Sequence, residues 1–152
     1  WPNDIYVNDK KIAGILIENL VYRKFIHKSV IGIGLNINQA NFDCLNATST
    51  INETMKKHNL EQILQSFKSI FNKEYLKLNS NKIHEEFDFY KKNLIGYQIE
   101  KQYEYNSSVI NGKIIDVLLD GILVIQTKDS IMKLNFGDIR LVWPIVFYLK
   151  SF

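Results

Sequence analysis

Cys44 is the only cysteine among the 152 residues, so no internal disulfide can form, and the expected setting is a reducing one, by default the cytoplasm. No stretch reaches the ~18 consecutive apolar residues of a membrane span, and no signal-peptide pattern is read in these residues. Charge of one sign is also scarce. With 19 Lys and Arg against 16 Asp and Glu the net charge is +3, and the charges are interspersed, which argues against nucleic-acid binding by this stretch. His27, His58 and His84 are scattered without zinc-ligand spacing, and His84-Glu85-Glu86 is not a metalloprotease motif. Cys44 lies in a polar stretch with no basic neighbour in sequence to lower its pKa, so it reads as inert. There is no internal repeat and no low-complexity run. What remains is a globular chain, 46% hydrophobic, long enough to bury one ordinary core or two small ones.

Its first 38 residues hold three distinctive clusters: Trp1-Pro2-Asn3-Asp4, Lys11-Ile12-Ala13-Gly14-Ile15-Leu16, and Gly32-Ile33-Gly34-Leu35-Asn36-Ile37-Asn38. In the third, strand alternation puts Ile31, Ile33, Leu35 and Ile37 on one face and Val30, Gly32, Gly34, Asn36 and Asn38 on the other. Paired glycines on one face leave room for another backbone or a ligand, and the asparagines stand where that ligand would be read.

Along the chain, residues 4 to 38 read as a strand meander. Asp4 to Val7 is a first strand, Asn8-Asp9-Lys10 a turn, Lys11 to Glu18 a second strand, Leu20 to Lys24 a further one and Ser29 to Ile37 the last. After a polar stretch from Gln39 to Ser49 the period changes to 3.6. A short helix spans Thr50 to Lys57, and Asn59 with Gln62 forms a capping box for a long one carrying Leu60, Ile63, Leu64, Phe67, Ile70, Phe71 and Leu78. Asn81 caps a third, with Ile83, Phe87 and Tyr90 on its inner face. These helices are expected to cover the apolar face of Ile31, Ile33, Leu35 and Ile37. From Leu94-Ile95-Gly96 onward five short strands follow: 98 to 103, 108 to 118, 122 to 127, 130 to 135 and 139 to 143. Tight turns separate them, which predicts a small barrel closed by Trp143-Pro144. Met132, Leu134 and Phe136 alternate with Lys133 and Asn135, as a half-buried strand requires. The segment from Ile145 to Phe152 is too apolar for a free tail and is expected to add an edge strand or to dock.

In order, spacing and wording the three clusters resemble the biotin protein ligases, whose catalytic domain carries a Lys-Trp-Pro-Asn-Asp segment, a Lys-x-x-Gly-Ile-Leu strand and a Gly-x-Gly-x-Asn-x-Asn strand. The similarity continues through Ala47-Thr48-Ser49 to Gly137-Asp138-Ile139-Arg140-Leu141. The resemblance implies an α+β protein. Residues 1–94 would form the C-terminal portion of a biotin/lipoate ligase-like catalytic domain, a mixed sheet with helices akin to class II aminoacyl-tRNA synthetases. Residues 95–152 would form an SH3-like barrel. It also implies a portion of an enzyme, inactive or nearly so alone, because the family's glycine- and arginine-rich loop lies upstream of Trp-Pro-Asn-Asp.

The implied reaction joins biotin to ATP as biotinyl-5'-adenylate, then transfers biotin to a lysine of a biotin carboxyl carrier protein such as that of acetyl-CoA carboxylase. A carboxylate and a phosphate repel as they approach, so the chemistry needs a fixed cation between them. Lys11 matches the family lysine with that role and, with Gly14 and Leu16, the biotin site; otherwise it is a solvated charge beside a turn. Asp4, at the end of the first cluster, would face the nucleotide phosphates through Mg²⁺, which takes carboxylate and phosphate oxygens together, with Asn3 orienting it, or else the two form an Asx-type turn after Pro2. Asn36 is similar to the family asparagine that contacts the adenylate, with Asn38 behind it in the adenylate site, or else it caps loose amides at a strand end. On a regular strand Lys11 points away from the face of Gly14 and Leu16, so they share a pocket only through a bulge or because the lysine lies at the strand's start, which is the assumption made. A homodimer through the catalytic sheet is a further implication. The competing readings are a non-catalytic interaction module, an inactive remnant of the same fold, and a relative acting on lipoate.

Overall fold

The structure is a computed structural model and describes residues 2–42, 46–77, 83–135 and 137–143. Cys44, Leu78, Asn81, Phe136, Pro144 and the apolar segment from Ile145 to Phe152 lie outside the described residues, as does the side chain of Ile83. By its contacts the chain divides into two compact units, Pro2–Asn79 and Ser80–Phe152, the latter together with Trp1.

The first unit is built on a three-stranded antiparallel sheet in the order β1 (Asp4–Val7), β2 (Lys10–Tyr22), β3 (Phe25–Leu35). Asn8 and Asp9, at φ 49° and 60°, make the two-residue left-handed turn that closes the β1–β2 hairpin. Arg23 and Lys24, at φ 47° and 72°, do the same for β2 and β3. The separate strand expected at Leu20 to Lys24 is therefore absent: Leu20, Val21 and Tyr22 continue β2, and β3 starts at Phe25. Neither Arg23 nor Lys24 is a turn-forming residue type, so composition concealed the reversal.

Helix α1 (Thr50–Thr54) has Ser49 as its N-cap and ends early, at the left-handed Met55. Helix α2 (Leu60–Lys77) follows, with the Gln62 N–H donating to Asn59 Oδ1, as the capping pattern predicts. The helices do not bury the sheet as expected. Ile31, Ile33 and Leu35 remain 40–42% exposed, and Leu60, Leu64, Phe67 and Ile70 of α2 are exposed as well. The far half of the β2–β3 hairpin is open on both faces, up to Phe25 at 76%.

The second unit pairs helix α3 (Ile83–Asn93) with a five-stranded antiparallel sheet. Its strands are β4 (Glu100–Tyr105), β5 (Ser108–Val117), β6 (Leu123–Gln126), β7 (Ile131–Leu134) and β8 (Ile139–Leu141), in the order β7-β6-β5-β4-β8. The five predicted strands are all present. Closure is not, because β7 and β8 lie at opposite edges, so the described residues form an open sheet and not the expected barrel. Tyr103, Ile114, Val117, Leu123, Ile125 and Leu134 form its core, and Phe87, Tyr90 and Leu94 pack onto it. Lys91 clasps Asp116 of β5 and Asp88 of its own helix, both at 3.2 Å. By its contacts α3 thus belongs with the second unit. Gly96, at φ 84°, sits so close to Tyr103 that a Cβ there would collide with the phenol oxygen.

Candidate active site on the glycine face

The sheet register decides which side chains meet. Asp4 pairs with Gly14 and Ile5 with Ala13, but Tyr6 pairs with Lys11, so Ile12 is an extra residue in β2. This is a β-bulge, and it inverts the alternation beyond it. Directly opposed residues of antiparallel strands share a face. Asp4, Lys11 and Gly14 are therefore on one face of the sheet. Gly34 lies there too, opposite Gly14, and the next rung pairs Leu16 with Gly32. The sequence reading placed Lys11 with Gly14 through its position at the strand's start; the bulge is what brings it round.

Distances agree with the register. The Lys11 ammonium pairs with Asp4 Oδ1 at 2.6 Å, and a Cβ built on Gly14 would lie 3.6 Å from Lys11 Nζ and 3.5 Å from Asp4 Oδ1. A Cβ on Gly34 would meet nothing within 4 Å. The ion pair thus stands over one glycine, and the facing glycine has open space above it. With side chains 44% and 30% exposed, Lys11 and Asp4 are held without being sealed off. An ammonium has three N–H donors, and Asp4 occupies one.

The strand ends are anchored from behind. Asn3 gives its backbone carbonyl to the Ile15 N–H at 2.7 Å, which ties the first cluster to β2 beside Gly14. Asn36 accepts from the Thr50 N–H, donates its own N–H to the Ile12 carbonyl, and sends Nδ2 to the Thr48 carbonyl at 3.0 Å. Asn38 is tied to the backbone of residue 58. Its Nδ2 donates to the His58 carbonyl at 2.8 Å and its Oδ1 accepts the His58 N–H at 2.9 Å. Both ends of that amide are spent tying the end of the third cluster to the approach of α2.

Sequence reasoning missed Thr48, Ser49 and Glu53. Thr48 and Ser49 are 2% and 0% exposed in a unit that otherwise buries little. The Thr48 hydroxyl donates to Glu53 Oε1 at 2.6 Å, and Asn8 Nδ2 donates to Glu53 Oε2 at 2.8 Å. Those bonds, Thr48 first and Asn8 second, hold the Glu53 carboxyl below the ordinary carboxylate range. The available signal was the Thr50-to-Glu53 spacing, which reads as a capping box, yet the cap is Ser49 and the carboxylate turns to Thr48.

Among the described residues no three His, Cys, Asp or Glu side chains cluster as ligands. Asp4 is a carboxylate on the glycine face, so a Mg²⁺ ion held there would need further ligands that a nucleotide brings.

Comparison with known proteins follows this geometry. Residues 1–36 match the Biotin/lipoate A/B protein ligase family. Bifunctional ligase/repressor BirA of Bacillus subtilis is 27% identical over 146 residues, covering 93% of this chain and 45% of the relative. Biotin--protein ligase 1, chloroplastic, of Arabidopsis thaliana is 46% identical over 48 residues, or 31% of this chain and 13% of the relative. Among solved structures, the biotin protein ligase of Aquifex aeolicus in complex with biotin and ATP superposes with a TM-score of 0.71 at 23% identity, over 93% of this chain and 60% of that one. The apo form of the same enzyme gives a TM-score of 0.73. The chain spans about half the length of the curated bacterial relatives it matches. In its matched N-terminal residues and in its fold over 93% of its length, the chain is similar to the biotin protein ligases.

Proposed function

We propose that this stretch forms the adenylate-facing part of an ATP-dependent biotin protein ligase, acting on a lysine of a biotin carboxyl carrier protein in the cytoplasm. The observation that carries the reading is the Lys11 ammonium over Gly14, beside the open floor of Gly34. Two anions, a carboxylate and an α-phosphate, must approach each other there, and a cation held by Asp4 lowers their repulsion without having to be ordered at the moment of reaction. The biotin carboxylate oxygen attacks the α-phosphorus and pyrophosphate leaves. The carrier lysine's amine then attacks the acyl carbon and AMP departs. Lys11 steadies the negative charge at both stages, while Gly14 and Gly34 let the substrates lie against the backbone. Leu16, exposed one rung along, supplies apolar wall for the biotin chain. Asn3 and Asn36 hold the strands that flank the adenylate, and Asn38 fixes the segment behind them. Mg²⁺, when bound with the nucleotide, would take Asp4 as its protein ligand and neutralise phosphate charge.

The test is transfer of labelled biotin to a carrier domain with ATP and Mg²⁺. It uses the chain alone and the chain fused behind the glycine- and arginine-rich half of a biotin protein ligase. The fusion is expected to turn over, and Lys11→Ala in it to lose roughly 100-fold or more in adenylate formation with the fold unchanged. A fusion whose Lys11→Ala form works as well as its parent would defeat the reading and favour a non-catalytic module.

A further inference from the structure

The bulge that brings Lys11 to the glycine face is not held by the sheet alone. The Lys11 N–H donates to the Asn46 carbonyl at 2.7 Å, and the Lys11 carbonyl accepts the Thr48 N–H at 2.9 Å, a short parallel bridge centred on Ala47. The Ile12 carbonyl accepts the Asn36 N–H at 2.9 Å. The backbone groups of Lys11 and Ile12 at the bulge are thus bonded by the segment 46–48 and by the end of the third cluster. That segment is clamped in turn. One oxygen of Glu53 receives the Thr48 hydroxyl, and the other receives the side-chain amide of Asn8, in the turn between the two strands that carry Asp4 and Lys11.

We propose that Glu53 is the positioning residue for Lys11: its carboxylate bridges Thr48 and Asn8, closing a loop of hydrogen bonds that locks the bulge and keeps the ammonium over Gly14. Its importance for catalysis rests on the ligase reading above. Glu53 touches none of Lys11, Gly14 or Gly34 in this network; it acts through the backbone. The bridge needs acceptor geometry more than charge. A glutamine can serve both partners, its carbonyl oxygen accepting from Asn8 and its NH₂ donating to the Thr48 hydroxyl, which can accept as well as donate. Alanine serves neither.

The experiment measures amide hydrogen exchange in the 152-residue chain, alongside calorimetric binding of a non-hydrolysable biotinyl-5'-adenylate analogue to the fusion described above. Glu53→Ala is expected to lower protection at the Lys11 and Thr48 amides about tenfold, the scale of one or two lost hydrogen bonds, and to weaken the analogue comparably. Protection in the β2–β3 ladder should stay unchanged. Glu53→Gln should restore both readouts to within about threefold. Asn8→Gly is the second variant should Glu53→Ala not fold. It keeps the left-handed turn at an exposed position, removes one arm of the bridge, and should give a smaller loss at the same two amides. Unchanged Lys11 protection in Glu53→Ala or, if that does not fold, in Asn8→Gly overturns the proposal. So does a Gln variant as loose as Ala, or a loss spread evenly through the ladder. A fusion that binds no analogue counts against the ligase reading, while the exchange pattern of the chain still decides whether Glu53 positions Lys11.

Discussion

The two units solve the stability problem in opposite ways. In the second, six buried apolar or aromatic side chains form one contiguous cluster with α3 packed onto it. In the first, the buried set among the described residues is Ile12, Ala13, Thr48 and Ser49, and large apolar side chains along β2 and β3 are exposed. Order around Lys11 is therefore carried by directional bonds: the Lys11–Ala47 bridge, Asn36 to Thr48, and the Glu53 clamp. Apolar burial is tolerant of small shifts, whereas hydrogen bonds set position. The candidate site, which on the reading proposed above holds a charge at a given spot, lies in the unit organised by hydrogen bonds.

The contrast can be broken most forcefully by removing the charge itself, in the Lys11→Ala test above, which should abolish chemistry and spare both folds. Next in size, Ile125→Ala should cost the second unit about 3 kcal/mol, because Ile125 is fully buried at the centre of its cluster. In thermal unfolding followed by residue-resolved exchange, protection should fall across β5 and β6 and not at Lys11. Loss at both would mean that the units fold as one.

Gly34→Val sharpens the comparison from the other side. Its Cβ enters open space on a strand, so stability should shift by no more than about 0.5 kcal/mol. Binding of an adenylate analogue should nonetheless fall roughly tenfold or more, because the branched side chain occupies the floor beside Lys11. Undiminished binding would move the ligand off this face.

The smallest expected effect is at Tyr103. Its hydroxyl is buried without a hydrogen-bond partner, and burial pushes its pKa up from 10.0 to about 12. The unfolded chain therefore gives up the proton first, so this residue's contribution is complete below pH 10 and fades as pH rises from there to about 12. Tyr103→Phe should leave stability at pH 7 within about 0.5 kcal/mol of the parent, or raise it, since the unpaired group is what is lost. It should also flatten the alkaline decline of the second unit. A decline that persists in the Phe variant would assign it to another group.

Much of this was legible in the chain. The strands of the second unit, the cap of α2 and the turn at Asn8-Asp9 follow from alternation, capping spacing and turn chemistry, and each is present. These signals act between neighbours and survive in any context. The Arg23-Lys24 reversal was hidden because hairpin closure imposes φ > 0 on residues that do not choose it. The open edges of the five-stranded sheet were hidden as well, since strand count says nothing about whether the first and last strands meet. Asn36 and Asn38 looked alike in sequence and serve different partners, one the Thr48 carbonyl and the other the backbone of residue 58.

Local pattern, joined to the resemblance to a family, was thus enough to single out Lys11, Asp4 and the paired glycines as candidates. Whether they could meet depended on distant parts of the chain. Regular alternation turns Lys11 away from Gly14, and only a bulge stabilised by residues 46–48, with Glu53 behind them, turns it back. A side chain's direction on a strand is a property of its pairing, and pairing belongs to the folded chain.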